Sequence, residues 1–237
     1  KPYLHKTTFD FDERLPNINE GAMVVMVAPP QSGKSTTIVN LLQNENLLAD
    51  RLDEIFIFSP TIFNDKTSRF LKEKYKNTCY DHYDDSIIEN IIKTQELYPE
   101  DERPSIGIIL DDIVGMIPKN SSINYLCSRY RHFGVKLLLF STQLIKGIPP
   151  VVRANASNVI LFPNSNQSEL NKIIDEWGFA LGGKKKFMET YCNACNEKYQ
   201  FLHIDLSSTP SKGYKNFDTI LYENTFSDIS KNMKENI

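Results

Sequence analysis

Five short apolar runs rich in β-branched residues recur along the chain: Met23–Val27, Ile55–Ser59, Ile106–Leu110, Val135–Ser141 and Val159–Phe162. The segments between them are long enough for crossover helices. Two of these carry helical spacing. Residues 35–44 place Ile38, Val39, Leu41 and Leu42 on one face, and residues 122–132 do the same with Ile123, Leu126 and Tyr130. Such alternation predicts an α/β fold, a mostly parallel sheet with helices on both sides. A length of 237 residues suits one domain, and 41% hydrophobic residues suffice for a full core.

Beyond the fifth run the pattern changes. Phe187–Tyr191 and Tyr199–Asp205, separated by a short polar segment, predict an antiparallel hairpin. The tail after Leu206 predicts irregular structure with a short helix. The expected organisation is therefore a domain over 1–206, with its core at 23–205, and a tail over 207–237 packing on it.

The first run leads into "APPQSGKST", residues 28–36. This is the phosphate-loop pattern G-x-x-x-x-G-K-[ST] between a strand and a helix, with Ala28 at the first glycine position. Pro29 and Pro30 stiffen the loop. The backbone N–H groups of Pro30-Gln31-Ser32-Gly33-Lys34-Ser35-Thr36, apart from that of the proline, would cradle phosphates at a helix N-terminus. A side chain at Gly33 would collide with them. Lys34 would reach the β- and γ-phosphates, and the Ser35 hydroxyl would ligate Mg²⁺. The loop predicts nucleotide binding.

The third run closes on Asp111-Asp112. An acidic residue ending a buried strand is where phosphate-loop proteins hold the metal's shell, so Asp111 is the second candidate Mg²⁺ ligand. Asp112, one residue on, should point to the opposite side and polarise a water, which suits hydrolysis better than transfer to a bound acceptor. No Asn-Lys-x-Asp guanine reader is present. Asn171-Lys172-Ile173-Ile174-Asp175 has one residue too many and lies in helical spacing, so ATP is the expected nucleotide.

The fourth run ends in Ser141-Thr142-Gln143. Gln143 could contact the γ-phosphate or its water and pass the signal onward, or it could simply face solvent. Spacing leaves both readings open. Arg129 and Arg131 fall at the end of the preceding helix, and Arg153 follows Pro149-Pro150. One of them could serve a neighbouring subunit as a catalytic arginine, and composition does not choose among the three.

A net charge of −3 excludes a protein coated in basic residues for wrapping nucleic acid. Any DNA contact must be local, and Gly182-Gly183-Lys184-Lys185-Lys186, read as a flexible basic loop, is the candidate. Four unevenly spaced cysteines make no disulfide framework, and no apolar run is long enough to span a bilayer. The expectation is a soluble intracellular protein. Cys192 and Cys195 have zinc-ligand spacing at the turn of the predicted hairpin, with His203 beyond, but no second pair completes a tetrahedral set.

The strings "APPQSGKST", "IGIILDD", "SRYRHFGVKLLLFSTQ" and "IPPVVRANASNVILF", in that order, and the later "YQFLHID" resemble the genome-packaging ATPases of large DNA viruses. These are the poxvirus-type members of the FtsK–HerA superfamily of P-loop ATPases. The resemblance runs from about Met23 to Asp205. It implies a three-layer, RecA-like ASCE fold with a C-terminal β-hairpin, and a motor that hydrolyses ATP with Mg²⁺ to drive double-stranded DNA into a preformed capsid. It further implies a homo-oligomeric ring (pentamer or hexamer), capsid or inner-membrane vertex proteins as partners without stable membrane insertion, and a place in the host-cell cytoplasm at the assembly site and in the virion. Gln143 would be the sensor, and the arginine finger would lie among Arg129, Arg131 and Arg153. This sequence departs from the pattern at Ala28 and at Asp112, where many relatives carry Glu. Two rival readings are a nucleotide-dependent assembly scaffold and a nucleoside or nucleotide kinase, which would need an arginine-rich lid that the sequence does not display.

Overall fold

The apolar runs become strands because they are buried on both faces of a sheet. In the computed structural model, which describes residues 12–223, every residue of β1 (Ala22–Val27) and β4 (Ile106–Asp111) is buried. The other strands are β2 (Glu54–Phe58), β3 (Cys79–Tyr80), β5 (Val135–Thr142), β6 (Asn158–Leu161), β7 (Leu202–Asp205), β8 (Lys212–Lys215) and β9 (Thr219–Glu223). The helices are α1 (Lys34–Gln43), α2 (Arg69–Lys74), α3 (Asp85–Glu96), α4 (Ser122–Arg129), α5 (Pro150–Asn155), α6 (Gln167–Trp177) and α7 (Lys184–Ala194).

The nine strands of the described residues form one sheet in the order β3-β2-β4-β5-β1-β6-β7-β8-β9. The first six are parallel and the last three antiparallel. Alternation along β1 divides the core into two layers. Met23, Val25 and Val27 pack with α3, α4, α6 and α7, while Ala22, Val24 and Met26 pack with Ile38, Val39, Leu41 and Leu42 of α1. Leu41 and Leu42 are fully buried, each side chain contributing roughly 1.5–3 kcal/mol. Side-chain caps set the helix starts: Ser121 accepts from the Ile123 N–H, and Asn166 from the Glu169 N–H.

Three sequence expectations need correction. Phe187–Tyr191 is not a strand but the middle of α7. The buried positions Phe187, Thr190, Tyr191 and Ala194 follow helical spacing. The antiparallel extension is built instead by β7 with β8 and β9, so the region after Leu206 supplies two sheet strands and, among its described residues, no helix. Lys184-Lys185-Lys186 is accordingly the exposed first turn of α7 rather than a flexible loop, with the Lys186 ammonium 3.2 Å from Glu189. No described helix is long and apolar enough to cross a membrane.

Candidate functional site

In a parallel sheet, ligands bind beyond the carboxyl ends of the strands, and that is where the loop after β1 lies. Ala28 is fully buried, and its N–H donates to the Thr142 carbonyl at 2.9 Å. Its methyl belongs to the α1 layer of the core. The left-handed residues of this loop are Gln31 (φ 61°) and Gly33 (φ 102°), not Ala28, so a first glycine is not required for backbone freedom. Gly33 caps α1, accepting from the Thr37 N–H at 2.9 Å.

β5 lies between β1 and β4. The phosphate loop and the acidic pair are thus two strands apart, and Lys34 spans the gap. Its ammonium is 3.0 Å from Asp111 Oδ1 and also contacts Asp112 Oδ2. Asp112 does not point to the opposite side as strand alternation would have it. Its φ of 51° ends the strand geometry, and its N–H donates to the Ser141 carbonyl at 2.9 Å. Aspartate tolerates this left-handed conformation, and both carboxylates converge on Lys34. The Lys34 and Asp111 side chains are about one-tenth exposed, whereas that of Asp112 is 30% exposed.

Ser59 and Ser141 complete the row, and the sequence reading passed over both. Ser59, just past β2, donates its hydroxyl to Asp111 Oδ2 at 3.1 Å. Ser141 pairs in register with Asp111 on one side and Met26 on the other, and its fully buried hydroxyl has no partner within the protein. Each is a polar residue closing an apolar run, Ser141 within β5 and Ser59 immediately after β2. That position was the available signal.

Beside Asp111, a cleft lined by Ser35, Ser59 and Ile62 has about 10 Å³ of room, roughly the space of one water or small ion. Its donors are the hydroxyls of Ser35, Ser59 and Ser68 and the Asp111 carboxylate, a hard-oxygen set that suits Mg²⁺ completed by water and phosphate oxygens. Ser35 and Asp111 therefore fit a bound Mg²⁺. Thr36 is exposed at the start of α1, and Gln143 is exposed immediately after β5 at the same edge of the sheet. The segment following Gln143 is tethered, since the Ile145 N–H donates to the buried carboxylate of Glu169 in α6.

The three arginines are not brought to this loop within one chain. Arg131 donates to the Tyr130 hydroxyl at 3.1 Å, and that hydroxyl donates to the Gly21 carbonyl, just before β1 and at the opposite edge of the sheet. Arg129 lies over the Tyr125 ring, 5.0 Å from its centroid. Arg153 pairs with Glu176 at 2.6 Å, and its Nε is buried without a partner.

Cys192 and Cys195 sit at the end of α7, not at a hairpin turn. Cys192 is exposed, while Cys195 donates to the Leu161 carbonyl at 3.6 Å and burial pushes its thiol up to about 12. His203 is fully buried against the Asn158 amide, and burial lowers it to about 4. Among the described residues, no three His, Cys, Asp or Glu side chains gather to hold a metal.

No protein-family profile matches the chain. An uncharacterised protein, 075L of Invertebrate iridescent virus 6, is 26% identical over 210 residues, spanning 84% of this chain and 78% of its own. The genome-packaging NTPase B204 of Sulfolobus turreted icosahedral virus 2, solved with AMP, superposes with a TM-score of 0.60 at 21% identity over 83% of this chain and 98% of its own. The pCW3 conjugation coupling protein TcpA, solved with ATPγS, gives 0.50 at 11% identity over 92% of this chain and 66% of its own. The resemblance carried by the motifs thus extends to the architecture: the chain has the fold of a viral genome-packaging NTPase.

Proposed function

We propose that this chain is an ATP-hydrolysing motor that drives double-stranded viral DNA into a preformed capsid. The observation that carries the reading is the convergence of Lys34, in a phosphate loop, with Asp111 and Asp112 from a strand two places away. In this arrangement one cation is shared by two carboxylates. A triphosphate held by the loop amides draws the Lys34 ammonium toward its β- and γ-oxygens. Ser35 and Asp111 would hold a Mg²⁺, which when bound would neutralise phosphate charge. Asp112, the more exposed carboxylate, is released from Lys34 and accepts the proton of the attacking water. Lys34 thereby masks the base until a nucleotide arrives.

Gln143 stands at the same edge and serves as the sensor, with the tethered Ile145 segment next in line. Because Arg129, Arg131 and Arg153 lie away from their own loop, one of them completes a neighbour's site in a homo-oligomeric ring of five or six subunits. The exposed lysines 184–186 crowd the positive end of the α7 dipole, an arrangement unfavourable for the helix and favourable for DNA phosphates. B204, whose fold this chain shares, is a genome-packaging NTPase, which supports the same task here with capsid or inner-membrane vertex proteins at the viral assembly site in the host cytoplasm.

The test is steady-state ATPase activity with and without duplex DNA across a salt series. A motor is stimulated by duplex, less so as salt rises, and Lys34→Ala abolishes the activity. ATP turnover indifferent to DNA at every salt would favour the assembly scaffold or kinase instead.

A further inference from the structure

Among the described residues, five other than glycine have positive φ: Gln31, Asp50, Asp112, Tyr199 and Asn216. Asp and Asn visit this region readily, whereas a bulky aromatic there is an outlier that points to function. Tyr199 (φ 69°) lies in the loop between α7 and β7 and reaches the phosphate loop. A Cβ added at Gly33 would lie 3.1 Å from Tyr199 Cδ1.

The loop is anchored from below. Phe201 is buried, its ring 5.2 Å from Phe162 and 5.1 Å from Phe217, and its N–H donates to the Asn216 side chain at 3.2 Å. The Phe162 N–H in turn donates to the carbonyl of Val27, the last residue of β1 before the phosphate loop. Two residues from this anchor, Tyr199 remains 55% exposed, with the Lys198 ammonium 4.6 Å from its ring centroid. Next to it, the Gln200 amide nitrogen donates to Glu197 at 3.0 Å, while Gln200 Oε1 is shielded from solvent without a partner. An exposed planar ring on a strained backbone, two residues from a buried anchor and beside an orphaned acceptor, is the chemistry of a purine wall.

We propose that Tyr199 stacks on the base of the bound nucleoside triphosphate, so that the antiparallel extension supplies the base wall and the parallel half supplies the phosphate cradle. The proposal rests on the nucleotide reading of the Lys34 loop, and a base-free probe separates the two. Calorimetric titration with Mg²⁺ present compares ATP with inorganic tripolyphosphate. The wild-type protein binds ATP more tightly than tripolyphosphate. Tyr199→Ala weakens ATP by roughly 5–150-fold, the range of aromatic–base stacking, and leaves tripolyphosphate unchanged, which also shows that the variant is folded. Tyr199→Phe retains ATP affinity. If Tyr199→Ala binds ATP as the wild type does while Lys34→Ala loses both ligands, the stacking role is overturned and the phosphate site stands. Failure of the wild-type protein to bind either ligand overturns both.

Discussion

The parallel half of the sheet, β3 through β6, and the antiparallel half, β7 through β9, are built on different terms. The parallel half has strands buried on both faces and brings Lys34, Ser59, Asp111, Asp112 and Ser141 to one edge. The antiparallel half pairs short, more polar strands such as Lys-Gly-Tyr-Lys at 212–215. It buries a single histidine, His203, stacked 5.6 Å from Tyr214 and edge-on to Phe217. The two halves divide the work: polar and charged side chains gather where the parallel strands end, and the added strands, through Asn216 and Phe217, anchor Phe201 and with it the Tyr199 loop.

If that division is right, substitutions in the two halves fail differently. The largest expected effect is in trans. Should Arg153 be the finger, Arg153→Ala lowers turnover by about 10³–10⁵, and mixing it with Lys34→Ala subunits restores part of the rate, since intact loops then meet intact arginines. Activity indifferent to the mixing ratio, with Arg129→Ala and Arg131→Ala equally silent, would deny a shared site. Next comes Asp112→Asn, which cuts turnover by about 10²–10⁴ while ATP binding and thermal stability stay near wild type. Normal turnover would place the base elsewhere.

The smallest effect belongs to the antiparallel half and is seen in stability, not rate. His203 is lowered from its ordinary 6.5 to about 4, chiefly by burial, with Asp205 opposing. The unfolded chain therefore takes up this proton more readily. Stability from the neutral imidazole is complete above about pH 6.5 and falls as pH drops toward 4, by about 3 kcal/mol in all. In urea unfolding, the stability gap between the wild type and His203→Gln narrows by that amount over this interval. A gap independent of pH would contradict the burial account.

The two halves also differ in how far the sequence reveals them. All five apolar runs became strands because continuous burial leaves a continuous apolar signal. The Gly33-Lys34-Ser35 motif and the acids closing β4 share one site, as their order along the chain suggested. The inward turn of Asp112 was hidden, since a left-handed residue breaks alternation and aspartate gives no sign of which conformation it adopts. In the other half, the aromatics of Phe-Met-Glu-Thr-Tyr imitated a strand over five residues. Only the wider window to Ala194 carries the helical spacing that buries Phe187, Thr190, Tyr191 and Ala194. β8 and β9 are specified by pairing with β7 rather than by local pattern, so tertiary context decided them. Nothing local marked Tyr199, which acquires its place from the buried Phe201.

The most direct test is a crystal structure with Mg²⁺ and a non-hydrolysable ATP analogue. The Lys34 ammonium should move from Asp112 to the β- and γ-phosphates, with the metal between Ser35 and Asp111. A nucleotide bound elsewhere, with Lys34 still held by both carboxylates, would contradict the account.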